Sequence, residues 1–160
     1  MQYKKHSTVG VTIKVIPGDP RAPDATALLM QSHALMEELF PPEDNFYLDI
    51  GDLCVPEISF FVAREGDQLL GTGALADKGD YGEVKSMFVS PEARGKGVGE
   101  LLLAQIEVTA RTKGYAALKL ETGDVLHAAH RLYERAGFAK CGPFGDYPAA
   151  NSSVFMTKKL

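Results

Sequence analysis

The chain is poor in cysteine, has no surplus of basic charge and contains no long apolar run, and each shortage narrows what it does. Only Cys54 and Cys141 are cysteines among 160 residues. A disulfide scaffold needs more of them, and nothing in their spacing resembles a metal site, so no metal is expected. Two reduced thiols suit a cytoplasmic protein. Seventeen Lys and Arg stand against 21 Asp and Glu, a formal net charge of -4. That balance argues against a nucleic-acid binder, which presents a basic face. The opening MQYKKHSTVG is polar with no apolar stretch behind it. Neither a signal peptide nor a membrane span is expected, and residues 1–8 read as a loose arm. Repeats, low-complexity tracts and interdomain linkers are missing as well. What is left is a single domain over residues 1–160. At 45% hydrophobic and 24% charged, it has the composition of an ordinary soluble protein with one core.

The apolar pattern supplies the elements. VGVTIKVIP (9–17) alternates and is β-branched, a strand that Pro17 stops. Residues 25–40 carry apolar positions at helical spacing, with Asp24 expected as N-cap. Residues 57–77 read as a hairpin turning at Gly66 and Asp67, and 81–90 as another strand ended by Pro91. A helix is expected over 98–113 with Gly114 as its cap, then a strand over 115–122. A further helix spans 124–137 between Asp124 and Gly137, and two last strands lie in FAKCGPF and SSVFMTKKL. The order β-α-β-β-β-α-β-α-β-β implies an α/β (α+β) fold. Its sheet is mixed, with a right-handed parallel crossover between 81 and 122.

The densest signal is VSPEARGKGVGELLL (89–103). Glycine disfavours a helix interior by about 1 kcal/mol relative to alanine. Gly95, Gly97 and Gly99 nonetheless alternate at the mouth of a helix, flanked by Arg94 and Lys96. A helix N-terminus exposes unpaired N–H groups and the positive end of the dipole. Glycines before it let several N–H groups converge on one anion, so a phosphate or pyrophosphate is the natural ligand. Two familiar phosphate loops fail here. Lys96 is followed by Gly97 rather than Ser or Thr. The sixth residue of G-x-G-x-x-G is Glu100 counted from Gly95, or Leu102 counted from Gly97.

What survives is R-x-x-G-x-G at Arg94, Gly97 and Gly99. With EVKSMFVSPEARGKGVGELLLAQIEVTARTKGY and the later LYERAGF (132–138), the chain resembles the GCN5-related N-acetyltransferase (GNAT) superfamily over roughly half its length. An LETG strand (120–123) and a GPFGDY…SVFM tail (142–156) place the resemblance in a small bacterial branch. The resemblance implies a GNAT-like mixed sheet flanked by helices, with strands 81–90 and 115–122 parallel and splayed at their ends. It also implies acetyl-CoA as cosubstrate. The pantetheine arm would lie along Met87, Phe88 and Val89, and the pyrophosphate on Arg94, Gly95, Lys96, Gly97, Val98 and Gly99. Many family members carry an asparagine early in the next helix, where this chain has Leu126. The function implied is acetyl transfer to a primary amine of a small molecule or peptide by direct attack. A non-catalytic acyl-CoA sensor is the competing reading, and a homodimer is a further family expectation.

Such transfer needs a base for the amine and can use an acid for the departing thiolate. The resemblance nominates Tyr133 as acid and Glu83 as base; Glu121, on the neighbouring strand, is a rival base or an acceptor-binding group. Tyr133 also sits in an apolar stripe with Val125, Leu126, Ala129, Leu132 and Ala136, which packing alone would explain. His127 and His130 read as an exposed helix face rather than a metal pair. His33 and Cys141 receive no chemical role. Phe46, Tyr47, Phe144 and Tyr147 are candidates for the acceptor wall. The acid-rich stretch 37–52 favours a cationic or neutral amine.

Overall fold

In the computed structural model, residues 12–160 are described. The arm expected at 1–8 and the first residues of the strand expected from Val9 lie outside them. The chain runs β1 (Ile13–Pro17), α1 (Pro23–Leu39), β2 (Ile58–Glu65), β3 (Gln68–Asp77), β4 (Tyr81–Val89) and α2 (Val98–Lys113). It continues through β5 (Ala117–Gly123), α3 (His127–Arg135), β6 (Ala139–Cys141) and β7 (Ser153–Lys159). Single 3-10 turns stand at Pro42–Asp44, Gly51–Cys54 and Pro91–Ala93. The strands form one seven-stranded sheet in the order β1-β2-β3-β4-β5-β7-β6. Among the described residues only β4 and β5 run parallel, as the crossover pattern predicts.

Alternation along β2 divides the core between the two sheet faces. Phe60 and Val62 pack with Ala25 and Leu29 of α1, while Phe61 and Ala63 pack with Val98, Leu102 and Ile106 of α2. β3 is buried along almost its whole length. Cβ atoms added at Gly71 and Gly73 would meet Phe88 O at 2.9 Å and Met87 Sδ at 2.8 Å, so these two positions of β3 leave no room for a side chain against β4.

Two expected helix caps differ from what forms. α1 starts at Pro23, whose fixed φ suits the first helical position, so Ala22 is the N-cap. Asp24 instead accepts the Ala25 N–H at 2.8 Å and pairs with Arg64 at 2.8 Å. α3 starts at His127 rather than after Asp124, with Leu126 as N-cap. The Asp124 N–H is already committed to Ser152 O at 2.9 Å, prolonging the β5–β7 pairing past the expected helix start. The two glycine stops do form: Gly114 has φ +82° and Gly137 φ +100°. The FAKCGPF strand shortens to β6, leaving residues 142–152 as a loop before β7.

The parallel pair opens after three residues. Tyr81, Gly82 and Glu83 pair with Ala117, Leu118 and Lys119, and residues 84–89 have no β5 partner. The other edge of β4 supplies the reason. Against β3, Thr72 pairs with Phe88 and Ala74 with Lys85, so the pairing breaks into a bulge between them. Ser86 in that bulge takes φ +57°, and the Thr72 hydroxyl donates to its carbonyl at 2.8 Å. A bulge bends its strand and increases the twist. β4 therefore turns away while β5 follows β7 in unbroken register through Gly123.

Candidate active site

The splay opens a cleft of about 850 Å³. One wall is residues 84–89 of β4, the other is Glu121, Thr122 and Gly123 of β5 with Leu126, Leu132 and Tyr133 near and on α3. Arg94, Gly95, Gly97, Val98 and Gly99 close one end. Leu35, Met36 and Phe40 of the α1 region, with Asp44, Asn45, Phe46 and Tyr47, close the other.

At the glycine end, Gly95 has φ +84° and Gly97 φ +78°, and Gly97 is the left-handed N-cap of α2. Side chains disfavour that conformation, so the alternation is a backbone requirement. Gly99 serves the packing of α2 on α3: a Cβ there would meet Leu132 Cδ2 at 3.0 Å. The first turn of α2 thus presents its N–H groups at the cleft beside Arg94, a donor set that fits a pyrophosphate. Lys96 does not line the cleft and pairs with Glu65 at 3.2 Å.

Met87, Phe88 and Val89 line the cleft on the unpaired side of β4. Their free backbone edge suits an extended, amide-bearing chain such as pantetheine. Tyr133 borders the same space and is 6% exposed, its ring edge-on to Phe138. Its hydroxyl makes no hydrogen bond to another described residue. Burial, reinforced by the Glu121 charge, pushes its pKa upward, so it remains a proton donor. Leu126, at the family's asparagine position, contributes an apolar side chain to the cleft.

The two carboxylates stand differently. Glu121 borders the cleft and accepts the Ser153 hydroxyl at 2.8 Å. Burial raises its pKa; Lys85 opposes the shift, and Glu83 and Asp44 add to it. Glu83 is 3% exposed and lies behind the cleft wall. Its Oε2 accepts the Tyr147 hydroxyl, and the Lys85 and Lys78 ammoniums stand 3.6 and 3.9 Å from its carboxylate. Lys85 does border the cleft, donating to Tyr147 Oη at 2.8 Å and to Phe46 O at 3.0 Å.

The four aromatics separate into two pairs. Phe46 and Tyr47 line the end of the cleft opposite the glycine loop, Tyr47 stacking on His33 with centroids 4.0 Å apart and donating to Glu37. Burial keeps the His33 pKa low despite Asp49 and Glu37. Phe144 and Tyr147 do not line the cleft but interlock with Phe155, and Phe144 with Tyr81. Among the acids of 37–52 only Asp44 reaches the cleft, held by the Ser152 hydroxyl. His127 is exposed beside the cleft, whereas His130 is tied to Gly123 O at 2.8 Å, so the pair does not form one free face. No metal-binding group of three such residues exists among the described residues, and no described helix is long and apolar enough to cross a membrane.

The sequence reading missed Lys85 and the serines that hold Asp44 and Glu121. It also missed the reason for the glycine in LETG: a Cβ at Gly123 would lie 2.0 Å from Phe40 Cζ. Lys85 alone had a visible signal, a second charge two residues after Glu83 in a strand bound for the interior.

Comparison with known proteins agrees with this geometry. The family model of the acetyltransferase (GNAT) family matches residues 26–138. An IAA acetyltransferase of Azospirillum brasilense is 44% identical over 135 residues, covering 83% of this chain and 88% of that protein. The solved structure of a Klebsiella pneumoniae protein, described as an acyl-CoA N-acyltransferase, superposes with a TM-score of 0.78 at 30% identity. The match covers 93% of this chain and 98% of that one. A Bacillus subtilis acetyltransferase solved in complex with CoA shares the fold, with a TM-score of 0.68 at 17% identity over 93% and 99% of the two chains. The match over most of the length, to a cleft built from a splayed strand pair and a glycine loop, makes this chain an acyltransferase of the GNAT acetyltransferase family.

Proposed function

We propose that this chain, acting as one domain, transfers the acetyl group of acetyl-CoA to a primary amine of a small molecule or peptide by direct attack in a ternary complex. The observation that carries the reading is one cleft that has an anion-binding loop at one end and the side chain of Tyr133 on its wall. Residues 94–99 would hold the pyrophosphate, Arg94 adding full charge. Lys96 would strengthen the local field while paired with Glu65. The backbone of Met87, Phe88 and Val89 would align the pantetheine arm. When bound, the thioester supplies the acetyl group and a thiolate as leaving group.

Tyr133 donates a proton to the departing sulfur. Its burial supports this role by keeping the phenol un-ionised over the working pH range. Glu83 takes up the proton shed by the amine. A specific observation favours Glu121 as second reading for the base: it touches the cleft directly, and burial raises its pKa above the ordinary carboxylate value. The amine enters between Phe46, Tyr47 and Asp44, an aromatic wall with one carboxylate, which favours a cationic or neutral acceptor.

Steady CoA release from acetyl-CoA, measured across a panel of alkylamines, diamines, amino acids and peptide N-termini, tests the reading. Turnover with at least one cationic or neutral amine is expected. Tight acetyl-CoA binding without turnover of any amine would identify an acyl-CoA sensor instead.

A further inference from the structure

The GPFGDY tail, outside the stretch matched by the family model, carries the side chain that connects Glu83 to the cleft. We propose that Tyr147 is a positioning residue, the relay through which Glu83 takes the proton shed by the attacking nitrogen, with Lys85 as the group that meets that nitrogen. The proposal rests on the acetyl-transfer reading above and names the route that reading needs.

The geometry is continuous. Lys85 borders the cleft, its ammonium donates to Tyr147 Oη at 2.8 Å, and the Tyr147 hydroxyl donates to Glu83 Oε2. Glu83 itself does not border the cleft and is 3% exposed, so no amine in the cleft reaches it directly. The chain is held from every side. Phe46 O fixes Lys85 at 3.0 Å, and the Tyr147 ring is wedged edge-on against Phe46, Phe144 and Phe155 at 5.4, 5.3 and 5.6 Å. The charged and titratable groups around Glu83 are Lys85 and Tyr81 on β4, Lys78 before it, Tyr147 on the tail loop and Glu121 on β5.

The proton balance closes. Lys85 first passes one proton to Tyr147 Oη as the original hydroxyl proton moves to Glu83 Oε2, which leaves a neutral Lys85 amine with a free lone pair. As the N–C bond forms, one N–H bond of the attacking nitrogen breaks and its proton goes to that lone pair on Lys85 Nζ. Lys85 and Tyr147 end as they began, and Glu83 ends neutral. It then loses its proton to water on the side of the half-exposed Lys78.

The test compares Tyr147→Phe, Glu83→Gln and the double variant with wild type, using the amine of the panel that wild type turns over fastest. Tyr147→Phe keeps the ring and its edge contacts. Each single variant is expected to lower kcat/KM for the amine about 10²-fold, the low end for acid–base catalysis, with the dissociation constant of CoA unchanged. The double variant is expected to lose about the same 10²-fold, because both substitutions cut one chain. Rates in H2O–D2O mixtures provide a readout that packing does not move: a bowed dependence in wild type, for several protons in flight, and a less curved one in Tyr147→Phe. Full kcat/KM in Tyr147→Phe, or a double loss equal to the product of the single losses, would overturn the relay and leave acetyl transfer standing. A wild type that binds acetyl-CoA but turns over no amine would overturn the transferase reading and the relay with it.

Discussion

Replacing Tyr133 with phenylalanine separates chemistry from packing at the centre of the cleft. The ring is 6% exposed and its edge contact with Phe138 does not involve the hydroxyl. A buried hydroxyl that loses a hydrogen-bond partner typically destabilises a protein by about 1 kcal/mol. Here the hydroxyl has no such partner among the described residues, so its removal leaves no orphaned group. Unfolding free energy should stay within about 0.5 kcal/mol of wild type, the range of substitutions that break no specific interaction. For a chain of this size that is about 1–2 °C in Tm. If the same hydroxyl gives its proton to the leaving sulfur, kcat should fall by about 10²-fold, since a thiolate leaves readily and needs modest assistance. CoA affinity should be unaltered. The assay is kcat, CoA dissociation constant and Tm on one protein preparation. Unchanged kcat with a clear drop in Tm would refute the acid and return Tyr133 to the core.

Further predictions concern the fold that holds the cleft open. Gly123→Ala would set a methyl 2.0 Å from Phe40 Cζ and 2.8 Å from the neighbouring ring carbons, forcing a side chain that lines the cleft to move. Overpacking of this kind destabilises by about 1–3 kcal/mol, read as a lowered denaturation midpoint, and a midpoint equal to wild type would refute the contact. Tyr115 is pushed up to about 12 by burial and by Asp77 beside it. Its stabilisation is full below pH 10, where the phenol is neutral in both folded and unfolded chains. It is lost as pH rises from about 10 to 12, at about 1.4 kcal/mol per pH unit. Tyr115→Phe should therefore flatten the alkaline decline in unfolding free energy by that slope, and an unaltered decline between pH 10 and 11.5 would contradict the shift.

The elements that the sequence announced are those whose chemistry is local. The turn at Gly66 and Asp67, the helix stops at Gly114 and Gly137, and the glycine loop before α2 each depend on backbone angles that particular residues allow. Both missed N-caps, Asp24 and Asp124, fail for reasons of context. Pro23 starts α1 two residues early, and the pairing of Asp124 with Ser152 delays α3. Pro23 stands next to Asp24 in the sequence, whereas the Asp124 contact with Ser152 is not visible in any local window.

The site was legible where a motif marks it and opaque where the tail loop meets β4. Arg94, Gly97, Gly99 and Tyr133 stand on the cleft, as R-x-x-G-x-G and LYERAGF lead one to expect. Nothing local in GPFGDY says that Tyr147 lies against Glu83, 64 residues earlier in the chain. That contact exists because β7 pairs with β5 and β5 with β4, a long-range arrangement that alternation cannot register. The end of the cleft opposite the glycine loop has the same origin, joining the segment after α1 to β4, β5 and Ser152.

The central claim, that the glycine loop and the β4 edge form a CoA site, is tested most directly by titrating CoA into wild type, Arg94→Ala and Gly97→Val in a calorimeter. A Cβ added at 97 meets no atom within 4 Å, so the obstacle to a side chain there is the backbone conformation. Valine must abandon φ +78°, which costs a non-glycine residue about 1–2 kcal/mol, and the N–H groups it aligned turn away with it. Arg94→Ala removes a charge-assisted contact worth about 1.5–3 kcal/mol, which raises the dissociation constant by roughly 10- to 100-fold. Wild type is predicted to bind CoA with 1:1 stoichiometry, and both variants to bind more weakly by at least ten-fold while melting within a few degrees of it. CoA bound equally well by all three proteins would contradict the account.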